Sequence, residues 1–140
     1  MFTIAVCDDD MQERMQEVQI VKNIFSQKEL EAGIEEFQTG QHFLDVLHRV
    51  PYDIVLLDIQ MGEVSGFMLA EELYKITGGE NIIFVSSMEN LVFESIHFRP
   101  FRFVRKSHLE EELTEAVESW IQQNTKIKDA EKELNKEKEK

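Results

Sequence analysis

Acids, hydroxyls and a lysine stand at the ends of four apolar segments of this sequence. Asp8 opens a run of three aspartates after the first segment, and Asp58 follows four consecutive aliphatic residues. Ser86 and Ser87 close a third segment, and Lys106 follows a fourth. Carboxylates that are brought together repel one another unless a cation or a proton intervenes. The pattern therefore predicts a cation site, if the fold gathers these segment ends.

The chemistry that these residue types favour is phosphoryl transfer. Carboxylate oxygens with open coordination positions suit Mg²⁺, which keeps several waters and accepts phosphate as a co-ligand. A lysine and a hydroxyl opposite the carboxylates would bind the oxygens of a transferred phosphoryl group. Asp58 ends the most apolar segment and is the natural carboxylate nucleophile. Asp10 is better explained as the N-cap of the next helix, and Ser87 as a cap or turn residue. Thr39 can likewise cap the helix after the second strand through its hydroxyl.

The elements that must position these residues alternate between strand and helix patterns. The predicted strands are residues 2–7, 33–37, 52–58, 81–86 and 102–105, and an amphipathic helix pattern follows each of them. The first helix should cover about residues 11–28, with an apolar face formed by Met11, Met15, Val18, Val21, Ile24 and Phe25. Five strands alternating with five helices predict a doubly wound α/β domain with a parallel sheet. Functional sites in such sheets lie at the carboxyl ends of the strands.

Charge and composition narrow the classes of function. The chain holds 15 Lys and Arg against 28 Asp and Glu, a net charge of -13, which disfavours contact with nucleic acid or an anionic membrane. The single cysteine, Cys7, excludes an intrachain disulfide and fits a core residue in a reducing compartment. The apolar runs are too short to cross a bilayer, and the N-terminus lacks the basic region of a signal peptide. We therefore expect a cytoplasmic domain.

The composition changes near Asn124. Residues 1–123 hold 9 basic and 23 acidic side chains, whereas residues 124–140 hold 6 lysines and 5 acids. We expect a globular domain over 1–123 and a charged tail or linker over 124–140. A seven-residue spacing, typical of a coiled-coil seam, connects Leu113, Trp120, Ile127 and Leu134. Either the last helix extends into the tail and pairs weakly with a second chain, or the first two of these residues simply pack on the sheet.

Four motifs carry the residues described above. They are Val6-Cys7-Asp8-Asp9-Asp10, Ile54-Val55-Leu56-Leu57-Asp58-Ile59-Gln60-Met61 with Gly66, Phe84-Val85-Ser86-Ser87, and Phe103-Val104-Arg105-Lys106. In their order and spacing, these motifs resemble the receiver domain of two-component response regulators. The resemblance covers about residues 1–123 and implies a flavodoxin-like fold with five helices and a five-stranded parallel sheet of order 2-1-3-4-5.

The resemblance also implies a phosphoryl acceptor and a metal site. Asp58 would accept the phosphoryl group from a phosphohistidine of a sensor histidine kinase. Asp9 would bind Mg²⁺ directly and Asp8 through water. Asp58 and the backbone carbonyl of Gln60 would be further ligands. Such a domain is a phosphorelay switch rather than an enzyme, because it catalyses only its own phosphorylation and dephosphorylation.

Three further residues would form the switch that the resemblance implies. Ser86 would donate a hydrogen bond to the phosphoryl oxygens, Lys106 would pair with one of them, and the ring of Phe103 would follow the serine hydroxyl. The face of helix four, strand five and helix five would then be a candidate surface for a homodimer.

Details within the family point to a transcriptional regulator. The Cys-Asp-Asp-Asp opening and the segments 94–101 and 106–111 resemble regulators that carry a LytTR-type DNA-binding domain. Two features depart from the family pattern. Ser107 replaces a proline that usually follows the lysine, and the loop 61–66 lacks its usual proline. Neither departure removes a chemical group from the site.

Two rival hypotheses use the same residues differently. A Mg²⁺-dependent phosphohydrolase with an aspartyl-phosphate intermediate would use Asp8 as the nucleophile and an aspartate two residues later, here Asp10, as acid and base. It leaves Asp58 unexplained, and no cap domain is evident in 140 residues. A degenerate receiver that only binds proteins is disfavoured, because every residue needed for phosphorylation is present.

Overall fold

Five parallel strands form one sheet in the order β2-β1-β3-β4-β5. The computed structural model describes residues 1–138, with side chains for residues 1–125 and Leu134. The sheet confirms the predicted fold class, strand order and parallel pairing. Its strands are β1 (Phe2–Cys7), β2 (Ala32–Phe37), β3 (Ile54–Leu57), β4 (Ile82–Ser86) and β5 (Arg102–Arg105).

Helices connect the strands and cover both faces of the sheet. They are α1 (Met11–Gln27), α2 (Gly40–Val46), α3 (Gly66–Thr77), α4 (Val92–Ser95) and α5 (Leu109–Lys138). One apolar cluster packs α1 and α5 against one face of the sheet, and a second packs α2 and α3 against the other. Alternate residues of β1 and β3 enter the two clusters, which explains their unbroken apolar sequences.

The fourth helix is shorter than its sequence predicts. The apolar residues Leu91, Val92 and Ile96 predict a helix that ends before Pro100. Only one α-helical turn forms, between the 3₁₀ turns Glu89–Leu91 and Ile96–Phe98. The Ser95 hydroxyl donates to the Val92 carbonyl at 2.6 Å, a local bond that competes with helix propagation. Arg99 then ends the segment in a left-handed conformation with φ of 49°.

The apolar face predicted for α1 is wrong at its first turns. Met11 and Met15 are 61% and 59% exposed. The helix instead buries its middle and last turns through Val18, Ile20, Val21, Ile24 and Phe25, together with the acid Glu17. Because β1 ends at Cys7, the first turns of α1 lie at the carboxyl edge of the sheet rather than over its apolar face.

Several local predictions are confirmed. Asp10 caps α1, with its carboxylate accepting a hydrogen bond from the Glu13 N–H at 2.9 Å, and Thr39 caps α2 through its hydroxyl. Cys7 is a buried core residue, and burial raises the pKa of its thiol well above the ordinary value. None of the described helices is both long enough and apolar enough to cross a membrane.

Candidate functional site

The carboxyl ends of β1 and β3 bring two aspartates to one edge of the sheet. Cys7 pairs with Leu57 in the parallel register, so Asp8 and Asp58 follow at equivalent positions. The Asp58 N–H donates to the Cys7 carbonyl at 2.9 Å, which extends the ladder by one bond. Both side chains are buried. The strands thus hold two carboxylates side by side, as the sequence pattern predicts.

Lys106 reaches these carboxylates from the end of β5, the edge strand of the sheet. Its Nζ atom lies 3.0 Å from Asp8 Oδ2 and 3.1 Å from Asp58 Oδ2, and it also contacts a carboxylate oxygen of Glu13. The side chain is only 11% exposed. The lysine follows β5, where it opens the 3₁₀ turn Lys106–His108. An ammonium group therefore lies among three carboxylates, where a cation is needed to balance their charge.

Burial and charge shift the pKa values of this cluster. Burial raises the pKa of Asp58 to about 6 against the opposing charge of Lys106, and the charge of Asp8 adds to the rise. Burial also lowers the pKa of Lys106, but the hydrogen bond to Glu13 and the charge of Asp58 more than compensate. The pKa of the lysine consequently lies above its ordinary value. At neutral pH Asp58 is mainly a carboxylate, the form that a nucleophile requires.

Glu13 is a site residue that the sequence analysis missed. Single carboxylate oxygens of Asp8, Glu13 and Asp58 lie within 4.8 Å of one another. Glu13 stands three residues after the N-cap Asp10, a spacing that marks the first turn of a helix. That spacing was a usable signal, because the first turn of α1 directly follows the aspartates of the site.

Glu17 is a second acid that the sequence analysis missed. It lies one helical turn after Glu13 and is almost completely buried. Burial raises the pKa of Glu17 to about 10, and the neighbouring charge of Asp8 acts in the same direction. Glu17 is therefore a neutral carboxylic acid at pH 7. Its spacing to Val21 and Ile24 places it on the buried face of α1, which could have identified it.

Asp9 and Gln60 lie nearer the solvent than the other predicted metal ligands. The side chain of Asp9 is exposed, and its carboxylate does not belong to the group of three that lies within 4.8 Å. Gln60 also has an exposed side chain, and its backbone N–H donates to Asp58 Oδ1 at 3.4 Å. The structure thus brings Asp8 and Asp58 together and leaves the Asp9 carboxylate outside this group.

The predicted switch residues lie on β4 and β5. Ser86 is the buried last residue of β4, and its hydroxyl oxygen accepts a hydrogen bond from the Met88 N–H at 3.0 Å. Phe103 is partly buried on β5, with its ring centroid 6.4 Å from that of Phe84. β4 and β5 are neighbours in the sheet, where Phe84 pairs with Phe103 and Ser86 with Arg105. Backbone pairing therefore connects the ends of the two strands.

The donor set of this site fits Mg²⁺. Asp8 and Asp58 offer hard carboxylate oxygens, and both directly follow the buried strands β1 and β3. Asp8 Oδ2 is buried and lies 3.0 Å from the Lys106 ammonium, while Asp8 Oδ1 accepts the Asp10 N–H. A buried oxygen of this kind is a natural ligand for a small cation.

The sequence matches the family model of the response regulator receiver domain over residues 4–118. The chain belongs to this family. No curated protein sequence matches the chain significantly. The receiver fold accounts for the observed strand order.

Solved receiver structures share the fold at low sequence identity. TrrA from Thermotoga maritima, a response regulator solved in complex with Mg²⁺ and BeF, has a TM-score of 0.70 and 24% identity, and the match covers 86% of this chain and 99% of TrrA. The response regulatory domain of mrkE from Klebsiella pneumoniae has a TM-score of 0.71 and 17% identity, with 86% and 99% covered. Full-length FixJ from B. japonicum has a TM-score of 0.71 and 23% identity, with 87% of this chain but 58% of FixJ covered.

Proposed function

We propose that this receiver domain accepts a phosphoryl group on Asp58 from a phosphohistidine of a sensor histidine kinase, in a reaction that requires Mg²⁺. The observation that carries the proposal is the meeting of Asp58, Asp8 and Lys106 at one edge of the sheet, with ion-pair distances of 3.0 and 3.1 Å. A nucleophilic carboxylate, a cation-binding carboxylate and an ammonium group are the parts that phosphoryl transfer to a carboxylate needs.

In the proposed reaction, a carboxylate oxygen of Asp58 forms a bond to phosphorus as the phosphorus–nitrogen bond of the donor breaks. The donor imidazole leaves with the electron pair of that bond and takes up a proton. Lys106 stabilises the charge on the phosphoryl oxygens. Bound Mg²⁺ would neutralise the same oxygens, held by Asp8, Asp9, Asp58 and the carbonyl of Gln60. The solved complex of TrrA with Mg²⁺ and BeF supports a requirement for this cation.

The proposed response begins at Ser86. Its hydroxyl proton is available for donation, because the hydrogen bond from Met88 uses only the oxygen as an acceptor. Donation to the phosphoryl group would pull the end of β4 toward Asp58, and the ring of Phe103 would turn inward beside it. A switch of this kind works through contacts that differ between the two states.

We further propose that the switch controls transcription in the cytoplasm. The LytTR-like segments suggest a DNA-binding domain as the output, and the net charge of -13 argues that DNA contact is left to that domain. Residues 1–123 would form the receiver, and 124–140 would form the linker. The face of α4, β5 and α5 is the proposed dimer surface.

The tail adds a weaker contribution to the proposed dimer. Leu113 and Trp120 of α5 are buried in the core, so both already pack within one chain. Leu134 is 54% exposed and free to contact a partner. The side chain of Ile127 lies outside the described residues. A tail contact between two chains would therefore depend on the residues beyond Asn124 alone.

The geometry does not favour the phosphohydrolase hypothesis. That mechanism needs Asp10 as an acid and base, but its carboxylate caps α1 through the Glu13 N–H. It also needs Asp8 as an accessible nucleophile, whereas the side chain of Asp8 is completely buried. The hydrolase arrangement therefore lacks both an accessible nucleophile and a free acid and base.

Mass spectrometry with a small phosphodonor tests the proposed function. Incubation of the chain with acetyl phosphate and Mg²⁺ should add one phosphoryl group, and Asp58→Asn or removal of Mg²⁺ by a chelator should abolish the addition. Asp45→Asn is the matched control, because this exposed aspartate lies on α2 and its carboxylate accepts a hydrogen bond from the exposed Gln41 side chain, away from the acidic cluster. Phosphorylation of Asp58→Asn at the wild-type rate would refute the proposal.

A further inference from the structure

We propose that Glu13 is a positioning residue that holds Lys106 before phosphorylation and competes with the phosphoryl group for it. This inference rests on the proposed phosphorylation of Asp58, and it concerns how readily the site accepts and retains the group. Glu13 would thereby limit the rate of phosphorylation at a given concentration of donor.

The geometry gives Glu13 a distinct place among the partners of Lys106. The ammonium group has three N–H donors, and it contacts three carboxylates. Two of them, Asp8 and Asp58, are proposed Mg²⁺ ligands, and metal coordination would engage their oxygens. Glu13 is outside that ligand set and remains available to the lysine.

The start of α1 explains why the Glu13 carboxylate is free to reach the lysine. An N-cap aspartate followed by glutamate at the third helical position usually forms a capping box, in which the glutamate accepts the N–H of the capping residue. Here the Asp10 N–H donates to Asp8 Oδ1 at 2.9 Å instead. The Asp10 carboxylate still accepts the Glu13 N–H, so the helix is capped without the glutamate side chain.

Charge decides the direction of the expected effect. An incoming phosphoryl group is anionic, and it must displace Glu13 from Lys106 to pair with the lysine. The negative charge of Glu13 also repels the phosphoryl group. The Glu13 side chain is 41% exposed, so water screens the repulsion and keeps the effect moderate. We expect Glu13→Gln to accelerate phosphorylation by about three- to tenfold, the range that partly screened charges give over such distances.

Initial rates of phosphorylation test this inference. The full chain and its Glu13→Gln variant are incubated with acetyl phosphate at saturating Mg²⁺, so that a change in metal affinity does not affect the rate. The mass gain is followed with time. Glu118→Gln is the matched control, because it removes the same charge from an exposed site on α5 about 13 Å along the helix from Leu109. The control should keep the wild-type rate.

A second variant separates the ion pair from simple repulsion. Glu13→Asp keeps the negative charge but shortens the side chain by one methylene group, so it should lose the contact with Lys106 and also accelerate phosphorylation. The apparent affinity for beryllium fluoride in Mg²⁺ should rise in the same order as the rates, since this ligand stands in for the phosphoryl group without turnover.

The outcomes distinguish this inference from the proposed function. If neither the wild-type chain nor Glu13→Gln gains a phosphoryl mass, the proposed function fails and the inference fails with it. If the wild-type chain gains the mass and Glu13→Gln does so at the same rate, the inference alone is refuted. A wild-type rate for Glu13→Asp beside a faster Glu13→Gln would also refute it, because charge repulsion would then suffice.

Discussion

The substitution Gly66→Ala tests how closely α3 must approach the end of β3. Gly66 is the first residue of α3, and its N–H donates to the Ile59 carbonyl at 2.8 Å. A Cβ atom at this position would lie 2.2 Å from the Asp58 carbonyl oxygen and 2.8 Å from Ile59 Cα. Both neighbours are backbone atoms, which cannot turn away as a flexible side chain would.

The magnitude follows from the distance that must be gained. Ordinary contacts of a Cβ begin near 3.4 Å, so the helix start and the strand end must separate by more than 1 Å. Overpacking of this kind costs about 1–3 kcal/mol, and loss of the Gly66 hydrogen bond adds about 1 kcal/mol. We expect the free energy of unfolding to fall by about 2–4 kcal/mol. Phosphorylation should also slow, because Asp58 itself is displaced.

Urea denaturation followed by Trp120 fluorescence measures this loss. Gly33→Ala is the matched control, because a Cβ there meets only the flexible side chain of Met1, at 3.5 Å. Alanine also suits a strand better than glycine, so the control should be neutral or stabilised by up to about 1 kcal/mol. A Gly66→Ala variant that unfolds at the wild-type midpoint would refute the close-approach argument.

Four further predictions follow from single contacts or segments. Ser86→Ala should accept the phosphoryl group but lose the shift of amide NMR signals in α4 and β5; an unchanged shift would contradict the proposed switch. Glu17→Leu should raise the free energy of unfolding by about 1–3 kcal/mol in urea at pH 7, because it removes a carboxyl whose pKa burial raises to about 10; a lower stability would show that the acid is needed for the fold. Glu112→Gln should lower the urea midpoint at pH 7, because Arg105 holds the pKa of Glu112 below its ordinary value of 4.5. A lowered pKa stabilises the fold fully above the ordinary value, and this contribution is lost as the pH falls below that value and through the folded-state pKa, so the two midpoints should converge in acid. Sedimentation of the phosphorylated chain with and without residues 124–140 should show less dimer in the shorter form, and equal dimer content would exclude a tail contact.

Much of the fold could be predicted because its signals are local. The aliphatic runs of β3 and β4 can only be strands buried on both faces, and their alternation with helical patterns leaves few topologies. Asp10 and Thr39 were identifiable as caps because a capping side chain bonds to the backbone three residues ahead. The strand ends then placed Asp8 and Asp58 together, because neighbouring parallel strands end at the same edge.

The tertiary structure alone decided which parts of α1 meet the core and which meet the site. Helical periodicity gives the direction of each side chain around the axis, but not the height of the helix relative to the strand ends. That height leaves Met11 and Met15 exposed and brings Glu13 to Lys106 across 93 residues of sequence. No spacing in the sequence encodes such a contact, because the packing of α1 on the sheet and the end of β5 determine it jointly.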